Sequence, residues 1–173
     1  MDLFGILEKR RSIRKYRKDS IPEMALTKIL RAATQAPSAG NLQPWIFVVV
    51  KDARRRSALS EAALGQSMIE EAPVVVVVCA DQHRAGRHYG ERGVELFCIQ
   101  DTAAAIQNLL LAVSFLGLGA CWVGSFDEKE VSRILVAPDG VRPIAIVPIG
   151  VPAEHPSPTP RRSLTDMIRE ETF

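Results

Sequence analysis

From Val94 to Leu116 the chain carries Ala, Leu, Ile, Val and Phe on nearly every face of what reads as one long helix, with Gly117 placed to end it. A helix that is apolar all round has to be covered all round. In a chain of 173 residues the other elements cannot supply all of that cover, so part of the helix is expected to meet a second copy of the chain. The longest uncharged stretch, Thr102 to Phe126, contains Thr, Gln, Asn, Ser and several Gly. That mixture suits a core helix and its following strand better than a membrane span.

The remaining elements are read around that helix. A short helix is expected over Leu3 to Lys9, with Leu3, Ile6 and Leu7 on one stripe. Ser20-Ile21-Pro22-Glu23 combines a capping-box pattern with an early helical proline, predicting a helix to about Ala36 that Pro37 stops. Trp45 to Val50 and Val74 to Cys79 are apolar, β-rich runs, each read as a strand buried on both faces. Between them a helix covers Ala53 to Leu64. Asp81 to Gly93 is polar and glycine-containing, hence an expected surface loop. Ala120 to Val123 makes a short strand, Asp127 with Glu130 caps a helix to about Leu135, and Ile144 to Ile149 is a further strand closed by Gly150. Pro152, Pro156, Pro158 and Pro160 mark Val151 to Phe173 as an extended arm, with a short helix from about Leu164. Helices interleaved with strands predict an α+β or three-layer α/β/α domain spanning residues 1–173, with no internal repeat.

Composition removes several function classes. Basic and acidic residues number 22 and 20, a net charge of +2, which gives no reason for a nucleic-acid or membrane-surface partner. Cys79, Cys98 and Cys121 are an odd number without a CxxC pair, which argues against a disulfide framework or a zinc knuckle and for buried thiols. His83 and His88 fall in the polar stretch, not on one helix face, so no metal site is expected. The N-terminus reaches Glu8-Lys9-Arg10-Arg11 without an apolar signal-peptide core, and a cytoplasmic location is expected.

Four segments could carry chemistry. Arg10-Arg11-Ser12-Ile13-Arg14 places three guanidinium groups and a hydroxyl within five residues, with no carboxylate among them; on an extended segment Arg10, Ser12 and Arg14 share one face. Planar guanidinium donors match phosphate oxygens. Pro37-Ser38-Ala39-Gly40-Asn41-Leu42-Gln43-Pro44-Trp45 combines small residues, which allow close backbone approach to a flat ligand, with the hydrogen-bonding groups of Ser38, Asn41 and Gln43. Trp122-Val123-Gly124 ends a strand at a glycine, and Arg161-Arg162 follows the prolines of the arm. No GxGxxG follows the first strand, no P-loop, GxSxG or HExxH occurs, and no His or Cys sits in a nucleophile motif. Side-chain catalysts are thus lacking while groups suited to an anionic, planar ligand are present. A cofactor that carries its own chemistry reconciles the two.

Taken together, these segments resemble the nitroreductase-like FMN-dependent oxidoreductases (the NAD(P)H nitroreductase and NADH oxidase type) over nearly the whole chain and in the family's order. The N-terminal Arg-Arg-Ser-x-Arg, the Pro-Ser-x-x-Asn-x-Gln-Pro-Trp loop, the central helix around Gln100-Asp101-Thr102 and Gln107-Asn108, Leu118-Gly119 to Gly124, and Arg161-Arg162 carry the resemblance. It implies a three-layer α/β/α fold with a central, mostly antiparallel sheet. It also implies an intertwined homodimer with C-terminal arm exchange and FMN at the subunit interface. By family position, Arg10, Ser12 and the Arg161-Arg162 pair hold the phosphate and ribityl end, and Arg14 lies near the N1–C2=O edge of the ring. Pro37, Ser38, Ala39 and Gly40 come from the other subunit, while Trp122, Val123 and Gly124 line the ring. Arg11, Ile13, Asn41 and Gln43 are taken with them as cofactor-binding residues. The implied reaction passes hydride from NADH or NADPH through flavin N5 to nitro compounds, quinones or similar small acceptors in ping-pong fashion. A flavin store or redox sensor without fast turnover is the alternative. The short segment between Ala53 and Met68 leaves little room for a substrate-covering insertion.

Overall fold

Val74 to Asp81 forms β2, and its residues alternate between two cores. In the computed structural model, which describes residues 2–173, β1 (Trp45–Val50), β2 (Val74–Asp81), β3 (Gly119–Ala120) and β4 (Val141–Gly150) make one sheet in the order β1-β2-β4-β3. Every pairing in it is antiparallel, as the resemblance implies. Val74, Val76 and Val78 face a core completed by Ala145, Val147 and Ile149 of β4 and by two helices, α2 (Glu23–Ala33) and α6 (Cys98–Phe115). Val75, Val77 and Cys79 face the other way, with Ile146, onto α3 (Ala53–Ala62), α4 (Met68–Glu71) and α7 (Glu128–Leu135). The period-2 geometry of a strand therefore builds a three-layer α/β/α arrangement from a run of near-identical valines. A bulge between Val78 and Cys79 leaves Ile144 as the extra residue on β4.

The N-terminal basic segment lies along the edge of the sheet, joined to it by an isolated parallel bridge between Ser12 and Ala120. After α1 (Leu3–Lys9) the chain runs extended, the N–H of Ile13 donating to the carbonyl of Ala120 and that of Arg17 to Val151, both at 2.9 Å. The arm's first residues close the same edge, where Ala153 N–H donates to the carbonyl of Lys15 at 2.9 Å.

Several expectations are corrected. β1 is a terminal strand, not one buried on both faces; Ile46, Phe47 and Val48 are only half-buried and Val49 is exposed. Pro22 itself occupies the N-cap of α2, with no side-chain cap, so Ser20 forms no capping box, and the helix ends at Ala33, short of Ala36. Asp81 to Gly93 is not a loop: Asp81 Oδ1 accepts the N–H of Arg84 at 2.9 Å and caps α5 (Gln82–Arg92). Only Ala85 of that helix is buried, which explains why apolar periodicity did not reveal it. The long apolar run is one continuous helix, as expected, whose first turn, Gly93–Phe97, is π-helical before α6. As expected, helix α6 is not covered all round within one chain, since Gln107 and Phe115 are exposed. By length and composition Gln82–Phe115 could cross a membrane, yet α6 packs on α2 and the sheet and buries Asp101 and Thr102, so it serves as the core helix. No helix forms from Leu164; a single turn closes there, Ile168 N–H donating to Leu164 O at 3.1 Å. The capping of α7 by Asp127, whose Oδ1 accepts from Lys129 and Glu130, is as expected.

Candidate functional site

Residues 11–17 lie extended along the sheet edge, so their side chains alternate. Ile13 turns inward against Gly119, where an added Cβ would stand 2.8 Å from the Ile13 Cβ. Arg10, Ser12 and Arg14 turn instead into a cavity of about 240 Å³ that Arg11, Pro156, Ser157, Thr159 and Arg161 also line. No carboxylate is among its lining residues. Ile13 lines only the adjacent cavity of about 300 Å³, with Arg10, Arg11 and His155. Arg11 is anchored by its own neighbourhood, its Nη1 donating to the carbonyls of Glu8 at 2.5 Å and Arg10 at 2.8 Å. Arg161 donates to Thr159 Oγ1 at 3.0 Å, within the cavity wall. Arg162 turns away and donates to the carbonyl of Asp166 at 3.2 Å. The structure thus separates the two adjacent arginines that the sequence presents as a pair.

Behind the cavity, Cys121 follows β3 and is buried. Burial pushes its thiol up, while Arg14 and a bond from Ser12 pull the other way. The chain continues through Trp122, which is exposed, to Val123, which pairs with Ile146 through bonds of 2.9 and 3.0 Å. Gly124 leaves open space, an added Cβ meeting nothing nearer than Trp122 Nε1 at 3.8 Å.

The Pro37–Gln43 loop is built by its own polar groups. Ser38 Oγ accepts the N–H of Gln43 at 2.9 Å, and Gln43 Nε2 donates to Asn41 Oδ1 at 3.1 Å. These side chains hold a tight turn in which Gly40, Asn41 and Gln43 all have positive φ (54°, 57° and 51°). Ala39 N–H donates to Asp101 Oδ1 at 3.1 Å, and burial raises the pKa of that carboxyl against the opposing pull of the same N–H. Arg84 Nε bonds the carbonyl of Leu42, so α5 lies against the loop.

The loop and the arginine cavity do not meet within one chain. The loop is tied to Asp101 in the first turn of α6, whereas Ser114, at the far end of α6, lines the adjacent cavity of about 300 Å³, whose wall also includes Arg10 and Arg11. At about 1.5 Å per residue, those two points of the helix are about 20 Å apart.

Some site residues escaped sequence reasoning. Glu154 accepts the backbone N–H of Arg14, and Ser157 and Thr159 line the cavity beside Arg161. Asp101 had a usable signal, an acidic residue inside an otherwise uncharged helical run. Glu154 had none, since its partner lies at the opposite end of the chain.

A model described as the Nitroreductase family matches residues 7–67 and 60–151. The chain belongs to the nitroreductase family. A relative from Thermus thermophilus, named NADH dehydrogenase, is 40% identical over 187 residues, covering 92% of this chain and 91% of its own. FMN reductase [NAD(P)H] of Bacillus subtilis is 30% identical over 176 residues, covering 94% and 71%. Among solved structures, NADPH:FMN oxidoreductase of Vibrio harveyi complexed with NAD+ superposes with a TM-score of 0.91 at 25% identity, covering 98% of this chain and 77% of that one. The nitroreductase assignment therefore rests on family model, relatives and fold alike.

Proposed function

We propose that this nitroreductase-family chain acts as one domain over residues 1–173, binds FMN as a homodimer, and uses NADH or NADPH to reduce small acceptors such as nitro compounds and quinones. The observation that carries this reading is the convergence of Arg10, Arg11, Ser12, Arg14 and Arg161 on one cavity with no carboxylate in its lining. Such a donor set suits a phosphate, and the cations have no acidic partner in the cavity to neutralise them. The group therefore fits the residues present. The cavity's volume of about 240 Å³ lies below the roughly 300–1,000 Å³ usual for whole small-molecule sites, so it suits one end of a larger ligand. The names of the relatives, FMN reductase and NADPH:FMN oxidoreductase, point to the same cofactor and donor.

When bound, FMN supplies the hydride chemistry. The chain's own residues position it. Arg10, Ser12 and Arg161 hold the phosphate end, with Arg11 at the rim. Arg14 presents a cation to the ring edge, and Trp122, Val123 and Gly124 line the ring. Ile13 serves by anchoring the segment on the sheet, and Arg162 by its contact within the arm. The loop of Pro37, Ser38, Ala39, Gly40, Asn41 and Gln43 is contributed by the second subunit. Its separation of about 20 Å from the arginines along α6 supports that reading, because a loop that cannot reach its own cavity can serve a partner's across a two-fold axis. Arm exchange, where it occurs, involves residues beyond Arg161, since Val151 to Glu154 bond to their own N-terminal segment. Donor and acceptor use the same open face in turn, which predicts parallel double-reciprocal lines. The three cysteines are free and buried, in keeping with a reducing cytoplasm.

The test is the visible spectrum of the purified protein with and without added FMN, followed by anaerobic NADH and NADPH. Flavin bands that bleach with either nucleotide and recover with a quinone support the reading. Bleaching without recovery favours a store or sensor, and no uptake of FMN removes the proposal.

A further inference from the structure

Glu154 lies at the start of the proline-rich arm, outside the segments assigned to the flavin. Its carboxylate nonetheless reaches the other end of the chain, where Oε1 accepts the backbone N–H of Arg14 at 2.6 Å. Main-chain bonds hold the flanking residues in register: Ala153 N–H to Lys15 O and Arg17 N–H to Val151 O, each 2.9 Å, with Tyr16 bridging to Pro152. At residue 14 a side chain supplies the acceptor instead. A hydrogen bond to an ionised acceptor is roughly twice as strong as a neutral one.

The guanidinium of Arg14 takes no part. Among the described residues it forms neither an ion pair nor a hydrogen bond, although a carboxylate is bonded to its own backbone. An ion pair would have neutralised the cation. A backbone anchor fixes the residue and leaves its charge turned to the cavity that Arg10, Ser12 and Arg161 line.

We propose that Glu154 is a positioning residue for Arg14, holding in place the cation that faces the flavin and thereby setting the flavin's reduction potential without touching it. This rests on the reading that Arg14 borders bound FMN. A cation held rigidly stabilises added negative charge without reorganisation, whereas one on a loosened backbone loses part of that effect. The carboxylate also acts directly, its own negative charge disfavouring an added electron. The two contributions oppose each other and can be separated. Glu154→Gln keeps an acceptor oxygen at the same reach and removes the charge. Glu154→Asp keeps the charge and withdraws it by one methylene. Glu154→Ala removes both.

The experiment has two readouts. In protein without FMN, hydrogen exchange at the Arg14 amide should accelerate about tenfold in E154A and E154D and less in E154Q, because the opening of that bond governs exchange. In the FMN-loaded dimer, the midpoint potential should fall in E154A and E154D and should not fall in E154Q. In an R14A background the further change E154A should no longer lower the potential and should leave only the rise from the lost negative charge, a non-additivity expected only if Glu154 acts through Arg14. Exchange that does not change overturns the anchor. Accelerated exchange with an unchanged potential in E154D, or a further fall in potential when E154A is added to R14A, reduces Glu154 to a structural contact and overturns the proposal. If E154A does not fold, E154D and E154Q decide between the same outcomes. Wild-type protein that takes up no FMN would remove the flavin reading and this proposal with it, while the exchange data would still report on the anchor.

Discussion

The hydroxyl of Tyr89 stands where a side chain on Gly40 would begin, 2.6 Å from the position of an added Cβ. Gly40 also has φ of +54°, in the left-handed region. Helix α5 and the Pro37–Gln43 loop are therefore fitted to each other at a point where a larger residue would have to displace the Tyr89 side chain. Gly40→Ala should destabilise the protein by about 1–3 kcal/mol, from backbone strain and the contact together. In Tyr89→Phe the nearest remaining ring atom is 3.5 Å away, so G40A should cost less in that background, leaving only the strain. Chemical denaturation of the four proteins checks this; equal costs in both backgrounds would show that the contact is not resisted.

Arg161 and Arg162 are neighbours in sequence with different surroundings, one lining the cavity and the other bonded to Asp166 O. Arg161→Ala should weaken FMN binding by about 10- to 100-fold, the range for losing a charged hydrogen-bonding partner of about 1.5–3 kcal/mol. Arg162→Ala should change it by less than about twofold. Fluorescence titration with FMN measures both, and a larger loss from Arg162 would relocate the phosphate.

Asp101 is a buried carboxyl whose pKa is raised, chiefly by burial, with the Ala39 N–H opposing. A folded-state pKa above the unfolded one means that Asp101 supports the fold fully below the ordinary carboxylate range. That support is lost as pH rises through the raised value. Asn at this position keeps an acceptor oxygen for Ala39 and does not titrate. The melting temperature of Asp101→Asn should therefore gain on wild type as pH rises above the ordinary carboxylate range, about pH 4. A difference that stays flat above that range would contradict the assignment.

Phe115 is 60% exposed at the end of the core helix, beside Ala112 and Ile6 in an apolar depression, and Phe4 on α1 is 73% exposed. Two large aromatic side chains in water on one chain fit a surface that a second subunit covers. Phe115→Asp should shift sedimentation toward monomer and weaken FMN retention with it. A monomer that keeps FMN would show that the site is complete in one chain.

Local pattern was enough to find β2, β4 and the Asp127 cap of α7, because each is specified by residues close together in sequence: the successive valines of β2, the apolar Ile144–Ile149 run of β4, or a carboxylate three residues before Glu130. It was enough, too, to place Arg10, Ser12 and Arg14 on one face, since an extended backbone alternates its side chains whatever surrounds it. Helix α5 was hidden because only Ala85 among its residues is buried, so no apolar stripe recorded it. The exposure of β1 was hidden because an edge strand and a central strand can carry the same residues, and only the sheet order distinguishes them. Tertiary structure alone decided that Arg161 enters the cavity while Arg162 does not, that Glu154 anchors Arg14, and that the Pro37–Gln43 loop lies about 20 Å along α6 from the arginines. Those relationships depend on where distant segments come to rest, and composition or spacing carries no record of a distance that the packed core sets.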